Sequence, residues 1–333
     1  MSNILSLLNG SQRAILNALG VNTEEQFNGL LFAVPEAVTD ALQLRSMTKM
    51  MNLAPVPEVD DSTYGRFLKL VETMSFKGMP EAKTIPLMLS TAADLPSKVQ
   101  IEELHAIRDQ ANRGTCVAHA TTAAFENLNI REGSSEQKKI DFSEQFCYWA
   151  TKQKDGHPNS DGSWAKICFP ALKEFGICHE EHWKYNPNPT NDPGQGPPPA
   201  AAQKCAPNHK ADYLELNSKD INALKTQLGK EKRVISFGVP VFNSSMRNQD
   251  TVKTGRFVMP IKGESPVGGH EMALIGYVDD KSRPGGGDFI LRNSWGTKWA
   301  HSSPFGAGNG SVPYAYIAEH CMEALVFTKL LGK

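Results

Sequence analysis

The stretch RDQANRGTCVAHATTAAFENL, residues 108–128, decides how this chain is to be read. A polar, glycine-bearing run leads into Cys116, and an alanine-rich pattern with helical spacing leads away from it. A cysteine at the point where a loop becomes a helix has two readings. Free cysteine is among the most buried residue types, which favours packing. A helix N-terminus also favours thiolate over thiol, which favours a nucleophile. The residues around it must decide.

The chain has 333 residues, of which 40% are hydrophobic and 21% charged, as in an ordinary globular protein. A formal charge of −1 excludes an electrostatic nucleic-acid binder. No apolar run approaches the roughly 18 residues of a membrane span. The N-terminal run MSNILSLLNGSQRAILNALG lacks a basic start, a continuous apolar core and a small-residue cleavage site. The six cysteines of the whole chain are scattered rather than arranged as a framework, so a reducing, cytoplasmic compartment is expected.

Residues 1–75 read as helical: a possible cap at Ser11, a capping box at Thr23 and Gln26, and apolar residues at helical spacing follow one another. They carry no chemical motif and are read as a helical accessory or pro-like domain, with a protein partner as one use and regulation of the following domain as another. Residues 76–93 read as a linker and 94–330 as the main domain. Within it, helices are expected over 116–125, 142–153, 164–176 and 221–229, with Pro170 weakening the third. The proline-rich residues 186–208 read as a long surface loop. RVISFGVPVF, GRFVMPI, HEMALIGYVDD and GDFILRNSW read as strands separated by turns, including PGGG at 284–287. Helices followed by antiparallel strands predict an α+β fold with two lobes around a cleft.

Three late features bear on Cys116. His270 opens an apolar strand behind Gly268 and Gly269, Asn293 follows another apolar strand, and Trp295 comes two residues later. A thiol nucleophile needs an imidazole to take its proton, and that imidazole needs a polar partner to fix its tautomer. A developing oxyanion needs fixed donors, which Gln110 and the Cys116 backbone N–H can supply. With nine histidines in the chain, residue types alone are a weak signal.

The ordered segments AIRDQANRGTCVAHA, FSEQFCYWA, SDGSWAKICFPALKEFGICHEEHWKY, GGHEMALIGY and ILRNSWGTKW together resemble the papain family of cysteine peptidases, its bacterial branch in particular. The resemblance spans about residues 94–328. It implies a papain-like fold, with a helical lobe and an antiparallel β lobe, and a peptidase acting on peptides or proteins without a cofactor or metal. Cys116 would be the nucleophile, His270 the base and then the acid, Asn293 its orienting partner, Trp295 the shield of that pair, and Gln110 an oxyanion donor. Gly162, Ser163, Trp164 and Gly269 would line the substrate cleft. His270 lies further from Cys116 than the about 130–150 residues expected in the family, and the proline-rich loop accounts for much of the excess.

The departures are Val117 and His119 beside the nucleophile, Arg113, Ser160 and Ala150 where half-cystines are usual, and Ala300 for a glycine. The joint absence of both half-cystines, with Arg113 and Ser160 in their places, fits an intracellular enzyme. Val117 and His119 leave open a catalytically silent, peptide-binding relative. His119, one turn after Cys116, reads as a core histidine rather than an alternative base. Cys178, His179 and His182, with Cys168, suggest zinc, but their spacing is not a recognised ligand pair and no metal site is expected. Helix polarity and His270 are both expected to lower the Cys116 pKa.

Overall fold

Alanines and β-branched residues after Cys116 build a helix narrow enough to be buried on nearly every side. This helix, α1 (Cys116–Glu132), has only three of its positions outside the buried set, and it packs on the sheet strands β4 and β7 described below. The computed structural model describes residues 95–158, 160–187 and 195–331, together with Thr23 and Gln26. The other expected features of residues 1–75 and the linker 76–93 lie outside the described residues. Thr23 and Gln26 form the expected capping box: each side-chain oxygen accepts the other residue's backbone N–H at 3.2 Å.

Two more helices flank α1. Helix α2 (Glu144–Lys152) starts at Ser143, whose Oγ accepts the Phe146 N–H at 3.0 Å and donates to Trp183 O at 2.5 Å. Replacing Ser143 by alanine removes both bonds and is expected to cost about 1–2 kcal/mol, read as a lower urea midpoint at unchanged m-value. Helix α3 (Ala165–Phe175) tolerates Pro170 in its second turn and stops at Gly176. Trp164 provides no side-chain cap. The orphan N–H groups of Ala165 and Lys166 are met instead by the Glu323 carboxylate, at 2.8 and 3.1 Å, from a strand 157 residues away.

The proline-rich segment is not loop throughout. Residues 200–208 form helix α4 (Ala200–Cys205) and a 3₁₀ turn (Ala206–Asn208), because a run of alanines follows the last proline of the cluster. Helix α5 (Ile221–Gly229) begins at the Asp220 cap. Short helices α6 (Asn243–Met246), α7 (Gln249–Thr254) and α8 (Tyr314–His320) complete this set.

The strands are β1 (Lys98–Gln100), β2 (Lys210–Glu215), β3 (Ile235–Val241), β4 (Gly268–Asp279), β5 (Gly287–Arg292), β6 (Asn309–Pro313) and β7 (Glu323–Leu331). They form one antiparallel sheet in the order β2-β7-β3-β4-β5-β6. The first half of β4 pairs with β3, and its second half pairs with β1. Residues 255–261, expected as a strand, make only an isolated bridge, Arg256 to Ser311. Side chains from the preceding turns take its carbonyls instead: Thr251 Oγ1 donates to Arg256 O and Ser245 Oγ to Val258 O.

The α+β architecture is thus as expected, with helices beside an antiparallel sheet. The two parts share a core. Phe327 of β7 meets Phe125 of α1 edge-on at 5.3 Å and stacks on Phe169 of α3 at 4.1 Å. The N-terminus of α1 meets the start of β4, where the Cys116 thiol faces the Glu271 backbone N–H.

Candidate active site

Cys116 is the first residue of α1, and Thr115 at the cap position leaves the helix end without a side-chain cap. The Thr115 hydroxyl is turned instead to Tyr185 OH, 2.7 Å away. The Cys116 thiol is 6% exposed and faces the backbone N–H groups of Glu271, Val117 and Cys116 itself. Contact with the Glu271 N–H seats the sulfur at the residue after His270 in β4.

His270 lies opposite Val239 of β3 and is buried. Its Nε2 is 2.8 Å from Asn293 Oδ1, which also accepts the Ser294 N–H at 2.8 Å. A backbone donor on that atom identifies it as the amide oxygen, so Nε2 carries the hydrogen and Nδ1 is left with its lone pair. Nδ1 is buried and has no hydrogen-bond partner among the described residues. Trp295 stacks on the His270 ring at 4.4 Å and 16°, and Trp299 closes on Trp295 edge-on at 5.6 Å. The two indoles cover the His270–Asn293 bond with apolar surface.

Electrostatics modify one expectation. Burial pushes the Cys116 thiol up to about 12, and desolvation pushes the His270 imidazole down to about 4 against the favourable Asn293 bond. Burial thus opposes the lowering of the Cys116 pKa expected from helix polarity and His270. Each shift is the penalty for one buried charge created beside a neutral partner.

Gln110 is fully buried and braced on three sides. Its Nε2 donates to Arg113 O at 2.8 Å, its Oε1 accepts from Ser294 Oγ at 2.6 Å, and its N–H donates to Ser294 O at 2.8 Å. Only one of the two Nε2 hydrogens is used by Arg113. Gly162, with φ +81°, donates its N–H to Gly114 O at 3.0 Å, which draws residues 162–164 against the loop before Cys116. Ser163 follows with a buried Oγ, and Trp164 stands at the start of α3. Gly269 pairs with Pro240 directly before His270.

The structure thus gathers the expected residues around the α1 N-terminus and the start of β4. His119 is the core histidine expected, with Nδ1 2.9 Å from Thr115 O and its ring edge-on to Tyr185 at 4.8 Å. Cys168 does not join the histidines: its sulfur is 3.4 Å from Cys147 Sγ in the core between α2 and α3. Arg113 replaces a covalent tie with polar ones. Its Nη1 donates to Gln145 Oε1 at 2.6 Å and to Asn186 O at 3.0 Å, and its guanidinium lies 4.9 Å over the Tyr148 ring.

Four residues escaped the sequence reading. Ser294 links Gln110 to Asn293, and its place inside RNSWG was the available signal. Tyr185 donates to Gln110 O at 2.9 Å. Glu271 and Glu323 hydrogen-bond each other behind the thiol. Burial raises the pKa of both carboxyls, that of Glu271 well above the usual range because the Glu323 charge adds to desolvation, while Glu323 is eased by the two backbone N–H groups it receives. No local pattern announces a carboxyl pair made from two distant strands.

A family model described as papain family cysteine protease matches residues 91–318. The chain is 26% identical over 241 residues to an uncharacterized peptidase C1-like protein of Acanthamoeba polyphaga mimivirus, covering 70% of this chain and 72% of that one. It is also 26% identical over 251 residues to cysteine proteinase 1 of Entamoeba histolytica, covering 74% and 71%. Among solved structures it resembles xylellain, a cysteine protease from Xylella fastidiosa, with a TM-score of 0.65 and 26% identity over 77% of this chain and 97% of that one. The fold also matches procathepsin L 3 of Tenebrio molitor, with a TM-score of 0.58 over 91% and 92% of the two chains at 18% identity.

Proposed function

This chain belongs to the papain family of cysteine proteases, and on that premise we propose that Cys116, His270 and Asn293 act as its catalytic triad. The observation that carries the reading is the His270 ring: one nitrogen is fixed on Asn293 at 2.8 Å, while the other is a buried, unpartnered base. The sulfur seated at the next residue's N–H is the acid it serves.

In the proposed reaction, Nδ1 of His270 takes the thiol proton as Sγ attacks the peptide carbonyl carbon. The oxyanion accepts the Cys116 backbone N–H and the remaining Nε2 hydrogen of Gln110. As the C–N bond breaks, His270 returns the proton to the leaving amine and a thioester remains. His270 then deprotonates the water that hydrolyses it, and the thiol is restored. Residues 162–164 and Gly269 hold the extended substrate backbone. Regulation of access to the cleft by residues 1–75 is part of the proposal. Comparing the full chain with one beginning at Thr84 tests that part, since equal turnover and equal inhibitor labelling would remove it.

Titration with an epoxide-type thiol inhibitor, alongside a broad peptide library, tests the proposal. Stoichiometric labelling with cleavage is expected. A titratable thiol without any cleavage would instead identify a peptide-binding relative. Asn293→Ala should lower kcat by about 100-fold while KM moves only a few-fold, because His270 loses its orientation and not its place in the substrate site. An unchanged kcat would remove Asn293 from the mechanism.

A further inference from the structure

The segment CHEEH, rejected as a metal motif on its spacing, gains a ligand in the folded chain. His179 precedes a 3₁₀ turn (Glu180–His182), and His182 is its last residue. Side chains three apart in such a turn eclipse one another, and the two imidazoles accordingly stack at 5.3 Å and 11°. Cys205, the last residue of α4, meets them from the far side of the proline-rich insertion, its thiol accepting the His179 backbone N–H. Ligand atoms of His179, His182 and Cys205 all lie within 4.8 Å of one another.

We propose that His179, His182 and Cys205 form a zinc site that clasps the base of residues 183–204. Two imidazoles and a thiolate are the donor set that favours Zn²⁺ over the hard, oxygen-seeking cations. Nitrogen and sulfur ligands at about 2.0–2.3 Å from tetrahedral zinc stand roughly 3.3–3.6 Å apart, so a spacing within 4.8 Å needs a contraction of about 1.5 Å or less. Glu181 Oε1, 3.6 Å from His179 Nδ1 and 4.0 Å from His182 Nε2, is the fourth ligand within reach. The other ring nitrogen of His179, Nε2, sits 3.0 Å from His209 Nε2. Donation from His179 to His209 holds Nδ1 as the free lone pair, the outer-shell arrangement that metal-bound histidines use. All three ligands are half-buried, so the ion has a way in. This site is separate from the thiol chemistry and stands or falls without it.

The test uses the full chain carrying Cys116→Ala, so that the active-site thiol contributes no signal, kept reduced with a thiol-free phosphine. Titration with Co²⁺ should give one equivalent of tetrahedral cobalt with a thiolate-to-cobalt charge-transfer band, displaced by Zn²⁺. Adding Cys205→Ser should abolish the band, and adding His182→Ala, a change on a half-exposed side chain, should weaken binding by 100-fold or more. Zn²⁺ should also raise the Tm and slow proteolysis between residues 183 and 204, and neither effect should occur in the Cys205→Ser chain. Failure to bind one equivalent, or a charge-transfer band that survives Cys205→Ser, would overturn the proposal.

Discussion

Replacing Cys116 by alanine is expected to lower kcat/KM by about 10⁴-fold or more and to abolish labelling by thiol-directed inhibitors. No other cysteine can substitute. Among the described residues, Cys147 and Cys168 face each other in the core, Cys178 and Cys321 are buried with their pKa values raised by desolvation, and the half-buried Cys205 lies beside His179 with its pKa raised in the same way. His270→Ala should cost a similar factor, since the sulfur then has no base and its own pKa is pushed up to about 12. The two losses should not add. A proton donor and its acceptor work as one unit, so the double variant should fall within about tenfold of either single one. Full additivity would mean that the two residues act independently, and undiminished hydrolysis by Cys116→Ala would reject the thiol mechanism outright.

The largest effect on stability is expected at Gly176. It ends α3 at φ +79° and ψ −162°, a region that side-chain-bearing residues avoid. A Cβ there would be driven against Ala206 O, far inside the 3.0 Å that real Cβ atoms keep, with His209 O also at 3.0 Å. Both obstacles are backbone, and neither can swing away. The close approach is needed because Ile177 donates to His209 O at 3.0 Å, docking the α4 region on the end of α3. Gly176→Ala should therefore cost more than about 3 kcal/mol, read by denaturant unfolding of the full chain. A loss under about 1 kcal/mol would show that the segment shifts freely. Because His209 braces the proposed zinc site, the same variant should bind Co²⁺ more weakly.

Much of this protein was legible because its signals are local. Helix α5 falls at residues 221–229, as its apolar spacing and the Asp220 cap require. The helices expected over 142–153 and 164–176 form at Glu144–Lys152 and Ala165–Phe175, their apolar spacing being visible along the chain. Residues 255–261 were misread because alternating apolar residues suit a strand, yet pairing needs a neighbour. There the carbonyls are taken by Thr251 and Ser245 side chains. The helix at 200–205 was hidden by the prolines before it. Strand β7 carries no motif, although it completes the sheet and delivers Glu323 to α3.

By itself, the order of residues determined the chemical inventory: a cysteine at a helix start, a histidine opening one strand, an amide closing another, and the motifs that set each in context. Periodicity and capping act over a few residues, and a linear chain displays them fully. What only the tertiary structure decided was proximity: the two carboxyls behind the thiol, the guanidinium in place of a cross-link, and the third ligand beside His179 and His182. These depend on which strands lie side by side and on how an insertion returns to its base. Burial depends on the same packing, and it is burial that opposes the lowered thiol pKa expected at the helix start.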